Sequence, residues 1–275
     1  MIRDATFIVA VAWLGLVVVL ALFADGIAPY ASDAINLRAR LAPPGTGDHL
    51  MGTDHLGRDM LSRLLDGLRL TLLIALVGTL IGAIVGTALG LLAAQAGGRF
   101  DDTIVSLIDA QAALPFLILA LGALAIFGNS ITLFLVVVGF QGWERYARLA
   151  RGLALSAREA PYVEALRHLG ASRWRIYALH ILPNISSTLI VNLTLNFPET
   201  ILLESGLSFV GLGIQPPLAS LGSLLGQGRD YLMTNWWLPA FPGALIFLTA
   251  LSVAVVGDRL RDRLDPTHFR EHGPT

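Results

Sequence analysis

The sequence predicts an all-α integral membrane protein with six transmembrane helices, and its composition, apolar runs and arginine placement each support that fold class. Hydrophobic residues make up 55% of the 275 residues, charged residues make up 14%, and the mean hydropathy is +0.67. A chain of this length cannot bury so much apolar surface in one soluble core. It therefore needs membrane lipid as its solvent.

Six predominantly apolar runs have the length of about 20 residues that a helix needs to cross the hydrocarbon core. They are residues 7–24, 70–96, 103–127, 131–149, 182–203 and 238–256. The first run has the alternative of a cleaved signal peptide, because Arg3 precedes it. No Ala-x-Ala cleavage site closes that run near Ala24, which favours a membrane span.

Glycines mark two features of these runs. Residues 110–142 carry no charge over a length greater than one span needs, so Gly128-Asn129-Ser130 is the predicted turn between the third and fourth spans. The second run carries glycine at positions 78, 82, 86 and 90, a spacing of four residues. One helical face is then bare backbone, against which another helix can pack closely or slide, and we favour close packing.

Arginine supplies all 19 basic residues, and its distribution predicts that both termini are cytoplasmic. With six spans and the N-terminus inside, the inner segments carry thirteen arginines and the outer loops carry six. The positive-inside rule favours this orientation, although the long first outer loop counts for less than a short one.

These boundaries divide the chain into a first helix with its outer loop (1–69), a five-helix core (70–258) and a cytoplasmic tail (259–275). The first outer loop ends in an amphipathic stretch, 59–68, whose leucines share one helical face, so it is predicted to lie along the membrane surface. A second outer loop, 205–237, is rich in glycine and proline. Such backbone is tolerated near a membrane only beside protein or a water-filled cavity.

Residues 156–183 predict a polar helix-turn-helix hairpin on the cytoplasmic side. Gly170 can supply the backbone angles that end the first short helix, and Ser172 can cap the second. The predicted apolar faces are Val163, Leu166 and Gly170 on the first helix, and Trp174, Tyr177 and Ile181 on the second. An ordinary amphipathic helix at the membrane interface explains the same pattern.

Five polar residues within or next to the predicted spans are candidates for a pathway or gate: Asp109, Asn192, Asn196, Glu199 and Glu204. Ionisable side chains are costly in a membrane and indicate a bundle interior or a cavity. For Asp109 we favour a simpler role, pairing with Arg145 or Arg148. The fifth span is too polar for a lipid face and is the predicted lining. Glu204 either binds a substrate amine or, as we favour, holds the outer gate together.

Several classes of function are disfavoured by residues that the sequence lacks. Without lysine there is no Walker A phosphate loop, and without cysteine there is no disulfide, thiol catalysis or cysteine-ligated metal. No nucleophile with an adjacent base is evident, so no catalytic residue is predicted. His49 and His55 lack a third ligand, so no metal site is predicted. Nothing indicates nucleic-acid binding.

An ion-coupled secondary transporter is the competing function. Such transporters carry inverted repeats and a paired ionisable site near the middle of the membrane, and neither is evident here.

Three segments of the hairpin, Glu164-Ala165-Leu166, Gly170 and His180-Ile181-Leu182-Pro183, resemble the EAA loop of binding-protein-dependent ABC importer permeases. The spacing of that loop is kept. Leu166 replaces its second alanine, and His180 takes the usual place of isoleucine. The His-Ile-Leu-Pro-Asn ending is similar to the dipeptide, oligopeptide and nickel branch.

Other motifs extend this resemblance over nearly the whole chain. They are Gly52-Thr53-Asp54, Gly57-Arg58-Asp59, Ser62-Arg63 and Gly67-x-Arg69 before the second span, Glu204 to Gly213 with Pro216-Pro217 after the fifth, and Gly257 to Asp262 with Leu264-Asp265-Pro266 at the end. One departure is Ala219-Ser220-Leu221-Gly222, where the branch has a tryptophan before the glycine.

The resemblance implies a non-catalytic importer subunit in the cytoplasmic (inner) membrane of a bacterium or archaeon. Its partners would be a second permease, commonly a different chain, two cytoplasmic ATPases that bind ATP and Mg, and an extracytoplasmic solute-binding protein. This chain would hold no cofactor. The cargo would be peptides, related small solutes or nickel. The loop 156–183 would dock into the ATPase as a coupling helix through Glu164, Ala165, Leu166, Gly170, Ala171 and Ser172.

Overall fold

The computed structural model describes residues 2–128 and 130–264, and within these ranges the chain is helical apart from loops and two isolated β-bridges. The α-helices are α1 (Ile2–Leu22), α2 (Ala24–Ile27), α3 (Met60–Ala96), α4 (Gly98–Ala112), α5 (Phe116–Phe127), α6 (Ile131–Gly139), α7 (Trp143–Arg158), α8 (Pro161–His168), α9 (Arg173–Ile176), α10 (Leu182–Phe209), α11 (Leu221–Gly228) and α12 (Trp237–Leu264). Leu37–Ala39 and Arg229–Tyr231 form 3-10 turns, and Tyr177–Ile181 is π-helical. Asn129 of the predicted turn and residues 265–275 of the predicted tail, with the Asp265-Pro266 motif, lie outside the described residues.

Four helical units in the described ranges are long and apolar enough to cross a membrane: Asp4–Leu22, Met60–Ala96, Arg173–Phe209 and Trp237–Arg263. Helices α4 and α5 meet at 90° and make a fifth if they are counted as one broken span. The all-α class is therefore confirmed, and the count of six spans stays a prediction. In the predicted fourth span, Gly142 adopts a left-handed conformation (φ 76°) and separates α6 from the arginine-rich α7.

Helix α3 begins at Met60 and runs without a break through the rest of the stretch 59–68, which the sequence predicted to lie along the membrane surface. Asp59 caps α3 by accepting a hydrogen bond from the N–H group of Ser62 (2.8 Å). The leucine stripe is buried against protein: Leu64 and Leu68 belong to a core cluster that also contains Val17, Leu221 and Trp237. An amphipathic stripe has the same sequence pattern whether lipid or another helix covers it.

The glycine face of α3 packs closely against other helices, as the four-residue spacing predicted: Gly78 and Gly82 meet α6 and the turn after it, and Gly86 and Gly90 meet α7. A Cβ atom at Gly86 would lie 2.3 Å from the carbonyl oxygen of Trp143, and one at Gly90 would lie 2.3 Å from that of Ala147. Because any side chain here would push the two backbones apart, the glycines allow α3 and α7 to form one closely packed pair. Helix α10 packs against both α3 and α12, and α1 lies against α12.

The loop between α2 and α3 is organised around Asp54. Its Oδ1 accepts hydrogen bonds from the N–H groups of Leu56 (2.8 Å) and Arg58 (2.9 Å), and its Oδ2 pairs with Arg58 Nε (2.7 Å) and with the buried Arg63. Burial raises the pKa of Asp54, but the charge of Arg63 and the hydrogen bonds and charge of Arg58 outweigh it. The pKa of this carboxyl consequently lies below its usual value.

We expect Asp54→Asn to lower the free energy of unfolding by about 3 to 5 kcal/mol at neutral pH, because the buried guanidinium of Arg63 loses its counter-charge. The control is Asp25→Asn, which removes an exposed ion pair with Arg69 and should cost less than about 1 kcal/mol. Thermal unfolding of the detergent-purified protein measures both. Equal stability of the two variants at neutral pH would contradict the central role of Asp54.

The same substitution has a predictable pH dependence. The pKa of Asp54 is lowered in the fold, so its stabilisation is present above the unfolded pKa of about 4 and is lost as the pH falls through the lower folded value. The stability difference between Asp54→Asn and the wild type should therefore shrink in acid below about pH 4.

Candidate functional site

The polar hairpin has the turn and cap that the sequence predicted. Helix α8 begins at Pro161, and after it Gly170 adopts a left-handed conformation with φ +79°. Ser172 then caps α9 by accepting a hydrogen bond from the N–H group of Arg175 (3.3 Å). Proline fits the first turn of a helix and glycine fits the left-handed position after one. Residues at the helix ends and in the turn, Pro161, Gly170 and Ser172, thus favour the hairpin locally.

The hairpin is held to the rest of the protein through one apolar face. Val163, Ile176 and Ile181 are buried in a cluster with Ala150 and Ala154 of α7. The hydroxyl of Tyr177 also donates a hydrogen bond to the carbonyl oxygen of Ala94 near the end of α3 (3.0 Å). The hairpin is therefore attached to both members of the α3–α7 pair.

The other face of the hairpin is exposed, including residues of the predicted coupling set. Leu169 next to the turn is 82% exposed, and Glu164, Ala165 and Ser172 are also exposed, whereas Leu166 is half-buried. Trp174 was predicted to share a buried apolar face with Tyr177 and Ile181, and this was wrong: Trp174 is 67% exposed, whereas the other two are buried. Apolar side chains exposed on a polar hairpin are typical of a surface that binds a partner.

Three arginines of α7, spaced three residues apart, each bind a carboxylate of a neighbouring helix; we refer to them as the arginine row. The pairs are Arg145 with Glu199, Arg148 with Asp109 and Arg151 with Asp101, at N–O distances of 2.5, 2.9 and 2.5 Å. The predicted pairing of Asp109 with an arginine is thus confirmed, with Arg148 as the partner. Sequence reasoning missed the row as a unit, although its three-residue spacing was a visible signal.

The five pathway candidates occupy two kinds of environment. Glu199 and Asp109 are exposed, next to the arginine row, whereas Asn196 is buried beside Gly142 and Asn192 is partly buried. Glu204 is completely buried in α10.

The surroundings of Glu204 are hydroxyl groups. Its carboxylate accepts hydrogen bonds from Ser208 (2.8 Å) and Ser205 (3.3 Å), and Thr71 of α3 and Ser220 before α11 also face it. A buried carboxylate shared by three helical segments ties them together. This geometry favours the gate-holding role of Glu204 over direct contact with a solute.

Residues 86–269 match the family described as "Binding-protein-dependent transport system inner membrane component". A putative peptide transport system permease protein of Brucella abortus is 41% identical over 266 residues, covering 97% of this chain and 89% of the relative. The dipeptide transport system permease protein DppC of Escherichia coli K12 is 40% identical over 269 residues, covering 96% and 90%.

Among solved structures, an inward-facing conformation of the MetNI methionine ABC transporter is similar to this chain. The TM-score is 0.58 at 22% sequence identity, and the match covers 75% of this chain and 98% of the other. This likeness concerns the fold.

Proposed function

The chain belongs to the family of binding-protein-dependent transport system inner membrane components, and we propose from this that it conducts peptides across the cytoplasmic membrane. It is a transmembrane permease subunit of an ABC importer. Its relatives are named as permeases of peptide transport systems. We therefore propose peptides as the substrate class, in place of nickel or another solute.

The proposed assembly contains this chain, a second and different permease, two cytoplasmic ATPases and an extracytoplasmic solute-binding protein. ATP and Mg are bound by the ATPases. The proposed topology has six spans with both termini in the cytoplasm, which places the hairpin 156–183 on the ATPase side and the loops 25–69 and 205–237 on the side of the binding protein. The core 70–258 forms the pathway with the partner permease.

The observation that carries the proposal is the attachment of the hairpin. Its buried face contacts both α3 and α7, while its tip, with Leu169, is exposed. The second half of the hairpin continues without a break into α10, so Arg173–Phe209 is one helical unit of 37 residues. Movement of the tip by the ATPases would therefore move the polar helix α10 directly. The tip and α10 would shift together, as one rigid body, between the two conformations of the transporter.

Cysteine cross-linking tests the proposed docking, and the chain offers a clean background because it has no native cysteine. We expect Leu169→Cys, on the exposed tip of the hairpin, to cross-link to an ATPase subunit in the assembled transporter. The matched control is Met233→Cys, which is equally accessible, at 95% exposure, but lies in the proposed outer loop. Cross-linking of position 233 to the ATPase, or of position 169 to the binding protein, would contradict the assigned sides.

A further inference from the structure

Two arginines of the arginine row lie at the depth of the hydrocarbon core, where charged side chains are costly. The depth of each α7 residue can be measured along α3, because Gly86 faces Trp143 and Gly90 faces Ala147. At 1.5 Å per residue, Arg145 and Arg148 then lie within about 12 Å of the middle of the uncharged part of α3. Half the hydrocarbon core is about 15 Å thick, so both arginines are at membrane depth.

Exposure separates the three ion pairs into two classes. Arg151 and Asp101, near the inner end of α3, have side chains that are 30% and 16% exposed, as expected of a pair that fastens α7 to α4. Arg145 and Glu199 are 56% and 45% exposed, and Arg148 and Asp109 are 60% and 64% exposed. Lipid does not tolerate exposed charges at this depth, so these two pairs face either protein or a water-filled cavity.

An exposed ion pair in a wet cavity is easily opened. Pairs of this kind contribute only about 0 to 1 kcal/mol, because water competes for both partners. A solute that carries one positive and one negative group can exchange with such a pair and leave every charge matched. A solute without both charges would leave an arginine or a carboxylate unpaired.

Resting on the proposed function, we propose that Arg145–Glu199 and Arg148–Asp109 are a binding site for the charged ends of a zwitterionic peptide within the pathway. The α-carboxylate pairs with an arginine, and the α-ammonium group pairs with Glu199 or Asp109. The two arginines are separated by about 4.5 Å along α7, and an extended dipeptide spans about 7 Å, so both ends can reach partners in adjacent pairs. The less exposed pair Arg151–Asp101 takes no part.

Thiol modification tests this site in the detergent-purified complex with its partner subunits. Leu202→Cys, 54% exposed and three residues along α10 from Glu199, places the only thiol of this chain beside the Arg145–Glu199 pair and leaves both charges in place; its reaction rate with a cationic methanethiosulfonate is measured. Dialanine at millimolar concentration should slow the reaction by about threefold, the factor expected at twice its dissociation constant. N-acetyl-alanine amide, which has no charged ends, should leave the rate unchanged. Ser106→Cys, exposed and three residues before Asp109 on α4, should give the same pattern, and it serves alone if the first variant fails to assemble.

The matched control is Ile190→Cys, also on α10 and 53% exposed. It lies nine residues from Glu199, half a turn out of phase at 100° per residue, so its thiol faces away from the arginine row. Dialanine should leave its rate unchanged. The proposal is overturned if the thiols at 202 and 106 are unreactive, which would mean that the partner permease covers them, or if the capped and uncapped peptides act alike.

Failure of this site is distinguishable from failure of the proposed function. If the wild-type complex carries out ATP-driven dipeptide uptake but dialanine does not protect the thiols, only the site is wrong. If uptake itself is absent, the proposed function is wrong whatever the thiols show.

Discussion

Gly170→Val is expected to reduce ATP-driven uptake by the assembled transporter by about tenfold or more while membrane insertion and assembly continue. Gly170 has φ +79°, where a non-glycine residue costs about 1 to 2 kcal/mol, and 1.4 kcal/mol is a factor of ten in an equilibrium. A Cβ atom at this position meets nothing within 4 Å, so the effect comes from the backbone alone. The strain would displace the exposed tip that we propose docks on the ATPase.

The matched control is Gly170→Asn, because asparagine tolerates the left-handed conformation better than other non-glycine residues. It should keep most of the uptake. Glu164→Ala removes an exposed carboxylate on α8 and should likewise lower uptake without loss of assembly. ATP hydrolysis and uptake are measured together in proteoliposomes, and uncoupling means that hydrolysis continues without transport. Unchanged uptake in both Gly170→Val and Glu164→Ala would contradict the coupling role of the hairpin.

Gly86→Ala is expected to cause a large loss of stability by adding a single methyl group. Its Cβ atom would lie 2.3 Å from the carbonyl oxygen of Trp143 and 2.7 Å from Cβ of Tyr146. Backbone cannot move aside as a flexible side chain can, so α3 and α7 must separate, at a cost of about 3 kcal/mol. The gain of about 1 kcal/mol in helix propensity offsets only part of that cost.

The matched control for this substitution is Gly122→Ala in α5. A Cβ atom at Gly122 meets nothing within 4 Å, so only the favourable helix-propensity term remains. Thermal unfolding of the two purified variants should therefore move in opposite directions from the wild type. Equal stability of Gly86→Ala and Gly122→Ala would show that α3 and α7 are not packed at backbone distance.

Features that depend on neighbouring residues could be predicted from the sequence. The left-handed turn at Gly170 and the Ser172 cap follow from local backbone chemistry, and the glycine face of α3 follows from a spacing of four residues. Each of these features is contained within one turn or one helix, so no knowledge of the tertiary packing was needed.

Features that depend on distant partners could not be predicted in the same way. The stripe in 59–68 has the pattern of a surface helix, and only the packing of Val17 and Trp237 against it shows that protein covers it. Trp174 fits the apolar periodicity of the hairpin, yet it is 67% exposed. For the candidate site, Arg145 and Glu199 are 54 residues apart, so pairing them required the fold.

The most direct test of the whole account is uptake of a dipeptide into proteoliposomes that contain this chain, its partner permease and the two ATPases. We expect uptake only when the solute-binding protein is supplied on the outer side and Mg-ATP on the ATPase side, and no uptake when this chain is omitted. Uptake driven by a proton or sodium gradient in the absence of ATP would contradict it and identify an ion-coupled secondary transporter.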